Sequence, residues 1–335
     1  MGDLVRRPIS FLALLALALL SACAPQAQRI ASASAAQLQK PDWAFQASDV
    51  PVDPAYRFGK LDNGMRYVVR QNATPRGTIA VRMEVAAGSL DEDDSERGYA
   101  HFVEHMAFNG STHVPEGEMV RLLERKGLAF GADTNAATDF EHTTYQLDLP
   151  KNDPELLDTA LMLMRETASE LSFSQGAIDR ERGVVLSEMR DRDGWQMRSY
   201  VDRLNFLFPG ARYSTRLPIG VRETLDAATS AKLKAFWQRE YVPAKTTVIV
   251  IGDLPADQIE AAIKTRFASW QASPSPPQPS AGPFDFSAKA RTEVYLDPAL
   301  SERVTALRLG PWLGEKDSKA HRRENLLRQI GYSII

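Results

Sequence analysis

The segment TIAVRMEV, residues 78–85, sets Ile79, Val81, Met83 and Val85 against Ala80, Arg82 and Glu84. That period of two suits an extended strand with one buried face and no helix. The segment TTYQLDLP repeats it, with Thr143, Tyr145, Leu147 and Leu149 on one side. Between and after these strands the spacing changes to that of helices, over Leu156–Glu170 and Ile178–Arg192, then in SAKLKAFWQREY and PADQIEAAIKTRFASW. Two further strands are predicted: one after the Asn63-Gly64 turn of LDNGMRYVV, the other in TTVIVIGDL. Strands and helices that interleave this way pack as one sheet covered by helices, which is the α+β class as a two-layer α/β sandwich.

The chain has 335 residues, of which 44% are hydrophobic and 25% charged, enough for more than one core. Its net charge of -3 supplies no basic field, so nucleic acid is not an expected partner. Residues 1–22 read as an export signal, with Arg6 and Arg7 ahead of an apolar run from Phe11 to Leu20 that is too short to span a bilayer. The run ends in LSAC, which resembles a bacterial lipobox, and its Cys23 is the single cysteine of the chain. Lipidation of Cys23 would place the protein in the bacterial cell envelope on the periplasmic side, with Ala24 favouring the outer membrane. An ordinary secretory signal with a chance cysteine is the alternative. Residues 23–42, rich in Ala, Gln and Ser, read as a flexible tether.

The globular part runs from 43 to 270, and QASPSPPQPSAGP, with a linker over 271–283, closes it. Residues 284–335 offer two predicted strands, TEVYLDP and RVTALRLGPWL, and a helix. This repeats the opening order of the first domain and stops, as the truncated start of a second domain would.

Within GYAHFVEHMAFNG, residues 98–110, stand two of the chain's five histidines. An acidic loop precedes this helix, and Asn109-Gly110 is predicted to end it through a left-handed cap. Positions i and i+4 share a helix face, so His101 and His105 can direct both imidazoles at one ion with Glu104 beside them. Two neutral imidazoles suit zinc. Chance alone produces this pattern in roughly one such chain in two hundred. The order His-x-x-Glu-His is that of the inverted zinc-protease motif.

Five blocks together resemble the pitrilysin (insulinase-like, M16) family of zinc metallopeptidases, and its large bacterial periplasmic members in particular: LDNGMRYVV, GYAHFVEHMAFNGS, GADTNAATDFEHTTYQLDLP, ERGVVLSEM and LPIGVRETL. The resemblance implies a sandwich of the M16 metallopeptidase type over 43–270 and a zinc-dependent endopeptidase with one Zn2+ per catalytic domain. It implies that Glu188, 83 residues after His105, is the third ligand, and that Glu181 orients a ligand from outside. Read without it, both glutamates belong to a solvated helix face. Glu104 would be the proton-transferring base, with Asn135 and Ala136 offering backbone to an extended peptide. An ordinary edge strand without a ligand is the other reading of that segment. The family also implies a second half, or a partner subunit, that closes over the peptide. A competing reading is a catalytically weak or inactive lipoprotein of the same type, serving as a peptide-binding or assembly subunit. His113 and His142 read as surface histidines, and His321 with Asn325 as a faint echo of the motif.

Overall fold

The computed structural model describes residues 42–333 except 130, 132, 288, 312 and 313. The expected export signal over 1–22 and the expected lipidation site Cys23 lie outside the described residues. The described residues divide into two compact units, one within 53–311 and the other made of 42–52 with 314–333.

The larger unit is built on a six-stranded sheet. Its strands are β1 (Tyr56–Lys60), β2 (Arg66–Gln71), β3 (Ile79–Val85), β4 (Thr134–Thr138), β5 (Thr143–Leu149) and β6 (Thr246–Gly252), in the order β1-β2-β6-β3-β5-β4. Only β2 and β6 run parallel; the other neighbours are antiparallel. The period-two pattern decides which face is covered, because the odd residues of β3 and β5 from Ile79 to Leu149 are buried and their neighbours are not. Helices α1 (Tyr99–Met106), α2 (Glu118–Arg125), α3 (Pro154–Ser169), α4 (Gln175–Arg192), α5 (Trp195–Leu207), α6 (Arg222–Asp226), α7 (Ser230–Glu240) and α8 (Ala256–Phe267) complete the unit. Helices α3 and α8 pack on each other and on the sheet.

Position β1 had no strong signal in the sequence, since YRFGK has only partial burial to record. In contrast, TEVYLDP and RVTALRLGPWL, predicted as strands, have no regular structure among the described residues. Val294, Leu296 and Val304 are mostly exposed, at 75%, 86% and 98%. Alternation says which face of a strand would be buried, but backbone donors and acceptors need a neighbouring strand to form one. In the smaller unit, α9 (Lys319–Tyr332) begins at Ser318, whose hydroxyl accepts from the His321 N–H at 3.1 Å.

Helix α1 is short, and its position is set by neighbours on several sides. Phe102, Val103 and Met106 are fully buried, and the helix packs against α4, α7 and β4. Truncating Phe102 to alanine would cost about 3–5 kcal/mol. At its start Gly98 adopts φ 97°, and a side chain there would meet the Gly220 Cα at 2.9 Å. The Glu92 carboxylate accepts from the N–H groups of Gly98 at 3.0 Å and Ala100 at 2.9 Å, satisfying donors that a helix start leaves free. At the other end Asn109 donates from its side chain to the His105 carbonyl at 2.9 Å, and Gly110 takes the left-handed conformation at φ 101°.

Candidate metal centre

Helix α1 presents His101 and His105 one turn apart, and α4, packed against it, presents Glu181 and Glu188 two turns apart. The result is a tight cluster. His101 Nε2 and His105 Nε2 are 3.3 Å apart. Glu188 Oε2 lies 3.5 Å from His101 Nε2, and its Oε1 lies 3.6 Å from His105 Nε2. In a tetrahedral zinc site, bonds of 2.0–2.1 Å separate adjacent ligand atoms by about 3.3–3.4 Å. The three side chains thus fit a zinc ion on both donor type and spacing, and they are the metal-capable group found among the described residues. Three protein ligands leave one corner of a tetrahedron for solvent or substrate.

The protonation state of His101 agrees with that use. Burial pushes the His101 imidazole down to about 3, with His105 and Arg192 acting in the same direction, so this ring is neutral at physiological pH and its lone pair is available. Its Nδ1 is buried without a hydrogen-bond partner. His105 differs. Its Nδ1 faces Glu181 Oε2 at 3.0 Å, which places the ring proton there and leaves Nε2 free toward the cluster. Burial draws the His105 pKa down, but Glu181 first, then Glu188 and Glu104, outweigh it and the net shift is upward. Glu181 is held below the usual carboxylate range, chiefly by that hydrogen bond.

Glu104 stands apart from the three. Its Oε2 accepts from the Thr138 hydroxyl of β4 at 2.6 Å. Burial raises its pKa, opposed mainly by that hydroxyl.

Strand β4 lies at the edge of the sheet, paired only with β5. Asp148 N donates to Asp133 O at 2.8 Å and Asp139 N to His142 O at 2.8 Å. Antiparallel bonding alternates, so the backbone of Asn135 and Ala137 is turned to β5 and that of Ala136 and Thr138 to the open edge. The Asn135 side chain is exposed, and its Oδ1 accepts from the Ala136 N–H at 2.9 Å.

The remaining histidines stand elsewhere. His113 pairs through Nδ1 with Glu166 at 2.8 Å and its side chain is 69% exposed. His142 sits in the β4–β5 turn, and His321 on α9 contacts Asn325 of the same helix at 2.9 Å and Glu315, ahead of it in the chain, at 2.8 Å. Sequence reasoning passed over Glu92, Thr138 and Arg192, the last of which lies 3.3 Å from Glu188 Oε2. For Arg192 the i+4 spacing on α4 was a usable signal. For Thr138 and Glu92 there was none, because each acts across a turn of the tertiary structure.

Comparison with known proteins places the chain among peptidases of one family. The model of the insulinase family, peptidase family M16, matches residues 67–205, and that of the peptidase M16 inactive domain matches 227–322. A probable zinc protease, PqqL, of Haemophilus influenzae is 36% identical over 217 residues, covering 65% of this chain and 23% of that protein. A chloroplastic stromal processing peptidase of Pisum sativum is 34% identical over 225 residues, covering 65% of this chain and 17% of that protein. The chain therefore spans about a quarter or less of the length of these relatives. Among solved structures, the first half of the periplasmic protease PqqL from Escherichia coli superposes with a TM-score of 0.67 at 34% identity, covering 69% of this chain and 50% of that one. With the fold and both family models in agreement, the chain belongs to the insulinase family of peptidases, family M16.

Proposed function

We propose that this chain carries the zinc site of a metalloendopeptidase that hydrolyses peptides or unfolded polypeptides in the bacterial cell envelope. The convergence of two imidazole nitrogens and one carboxylate at 3.3–3.6 Å, beside a fourth group that is not one of them, supports it most directly. His101, His105 and Glu188 would hold the ion, and Glu181 would keep the His105 ring turned toward it. Bound zinc supplies Lewis acidity, acidifying a water and polarising the scissile carbonyl. Glu104 takes the proton released by the attacking water and delivers it to the departing amine nitrogen, ending each cycle ionised as it began. Its burial brings its pKa closer to that of a group able to do both.

The substrate is held as an added strand. Ala136 directs its backbone to the open edge of β4, and Asn135 stands exposed beside it, so an extended peptide can pair there with little demand on its sequence. A further part of a longer protein, or a partner subunit, would close over that peptide. The export signal and Cys23 favour a lipid-anchored protein on the periplasmic side, in keeping with the periplasmic relative.

The test is metal content and peptide cleavage by the full-length protein, wild type beside Glu104→Gln and Glu188→Ala. Zinc in the wild type and Glu104→Gln, cleavage only in the wild type, and no zinc in Glu188→Ala is the expected result. Equal cleavage by wild type and Glu104→Gln rejects the proposal. Zinc without cleavage in the wild type favours the peptide-binding subunit.

A further inference from the structure

Thr138 has one hydroxyl proton and two acceptors near it. Glu104 Oε2 lies at 2.6 Å and Thr143 Oγ1 at 3.5 Å, so distance alone assigns the proton to Glu104. Thr143 gives its own proton to the Ala87 carbonyl at 2.9 Å, so toward Thr138 it is only a second and more distant acceptor. A hydroxyl-to-carboxylate separation of 2.6 Å is that of a charge-assisted hydrogen bond. One oxygen of Glu104 is therefore occupied by the strand.

The strand that supplies this hydroxyl is also the open edge. Side chains alternate along it, so Thr134, Ala136 and Thr138 share the face turned toward α1, while the backbone groups of Ala136 and Thr138 point outward along the sheet. A peptide pairing with that edge would bond to the very residue whose side chain holds Glu104. Thr134, at the start of the strand, is buried at 1% exposure, and Thr138, at its other end, reaches Glu104 of α1.

We infer that Thr138 is a positioning residue, holding one oxygen of Glu104 from the peptide-docking strand so that the other is presented for proton transfer. This rests on the proposed peptidase reading. Thr138 is not one of the three cluster residues; its side chain acts through Glu104, and it ties the geometry of the base to the seating of the peptide.

The test uses the full-length protein with Thr138→Val, which keeps the shape and removes the hydroxyl, and Thr138→Ser, which keeps the hydroxyl. Thr138→Val should retain zinc and KM within about twofold and lose roughly tenfold to a hundredfold in kcat, the scale of one charge-assisted hydrogen bond to the base. Thr138→Ser should recover kcat to within about threefold of wild type. A second readout needs no turnover: in metal-free protein Thr138→Val strands a buried carboxylate, so its melting temperature should fall by about 2–4 °C with Glu104 present and by less in the Glu104→Ala background. Equal kcat for Thr138→Val and wild type overturns the inference, as does a Thr138→Ser variant as impaired as Thr138→Val, or equal melting shifts in the two backgrounds. These outcomes leave the peptidase reading standing, which fails instead when wild type and Glu104→Gln cleave alike.

Discussion

His105 Nδ1 and Glu181 Oε2 are 3.0 Å apart, although 76 residues separate them in the chain. The contact assigns the ring proton to Nδ1 and so turns the Nε2 lone pair toward His101 and Glu188. Replacing Glu181 by glutamine or alanine should weaken zinc binding by about ten to a hundredfold without abolishing it. Competition with a chelator of known affinity measures this, and an unchanged affinity would show that packing alone orients the ring.

Glu92 caps α1 from a buried position, and burial pushes its pKa up to about 8 against the opposing pull of the Ala100 and Gly98 N–H groups and of Arg216. An acid whose folded pKa is raised binds more protons folded than unfolded between its ordinary value of 4.5 and about 8. Its contribution to stability is fully present below that window and is lost as pH rises through it. Melting of the metal-free protein should show this decline, and Glu92→Gln should flatten it between those limits. An identical slope in both proteins would place the carboxylate's pKa at its ordinary value.

At the start of the same helix, Gly98→Ala adds a Cβ at 2.9 Å from the Gly220 Cα, on a backbone with φ 97°. The substitution should destabilise the protein by at least about 1–3 kcal/mol and displace the start of α1, lowering zinc affinity along with the melting temperature. Gly77→Ala, also at positive φ but with nothing within 4 Å, separates strain from collision: it should show the smaller loss and no change in zinc binding.

Lys245 is 8% exposed and bridges Asp91 Oδ1 at 3.0 Å and Glu240 Oε2 at 2.5 Å, tying the loop that leads to Glu92 onto the end of α7. Lys245→Met leaves the buried Asp91 without its cation and the buried Glu240 with Arg239 as its remaining one. A loss of about 3–5 kcal/mol in denaturant unfolding is expected, and removing both carboxylates in the same background should recover part of it.

How much of this was legible in the sequence depends on the distance over which each interaction acts. His101, Glu104 and His105 could be placed together because i and i+4 on a helix meet whatever the rest of the chain does. The pattern on β3 and β5 likewise sets a buried face from local alternation. Glu188 and Glu181 could be singled out only through resemblance to the family, since their spacing on α4 is equally that of a solvated face. Thr138 and Glu92 gave no sign: a threonine in a strand and a glutamate in an acidic loop are ordinary until folding brings one to Glu104 and buries the other at α1. The strands anticipated in TEVYLDP and RVTALRLGPWL failed for the converse reason, because an alternating segment becomes a strand only beside a partner.

The sequence by itself determined a helix with two imidazoles on one face and a set of strands with one side to bury, because both depend on periodicity along a few residues. Only the tertiary structure decided that Glu188 comes within 3.6 Å of those imidazoles and that Glu104 is held by the edge strand. Convergence of groups from α4, α1 and β4 depends on how helices pack on a sheet, and packing is a property of the assembled core.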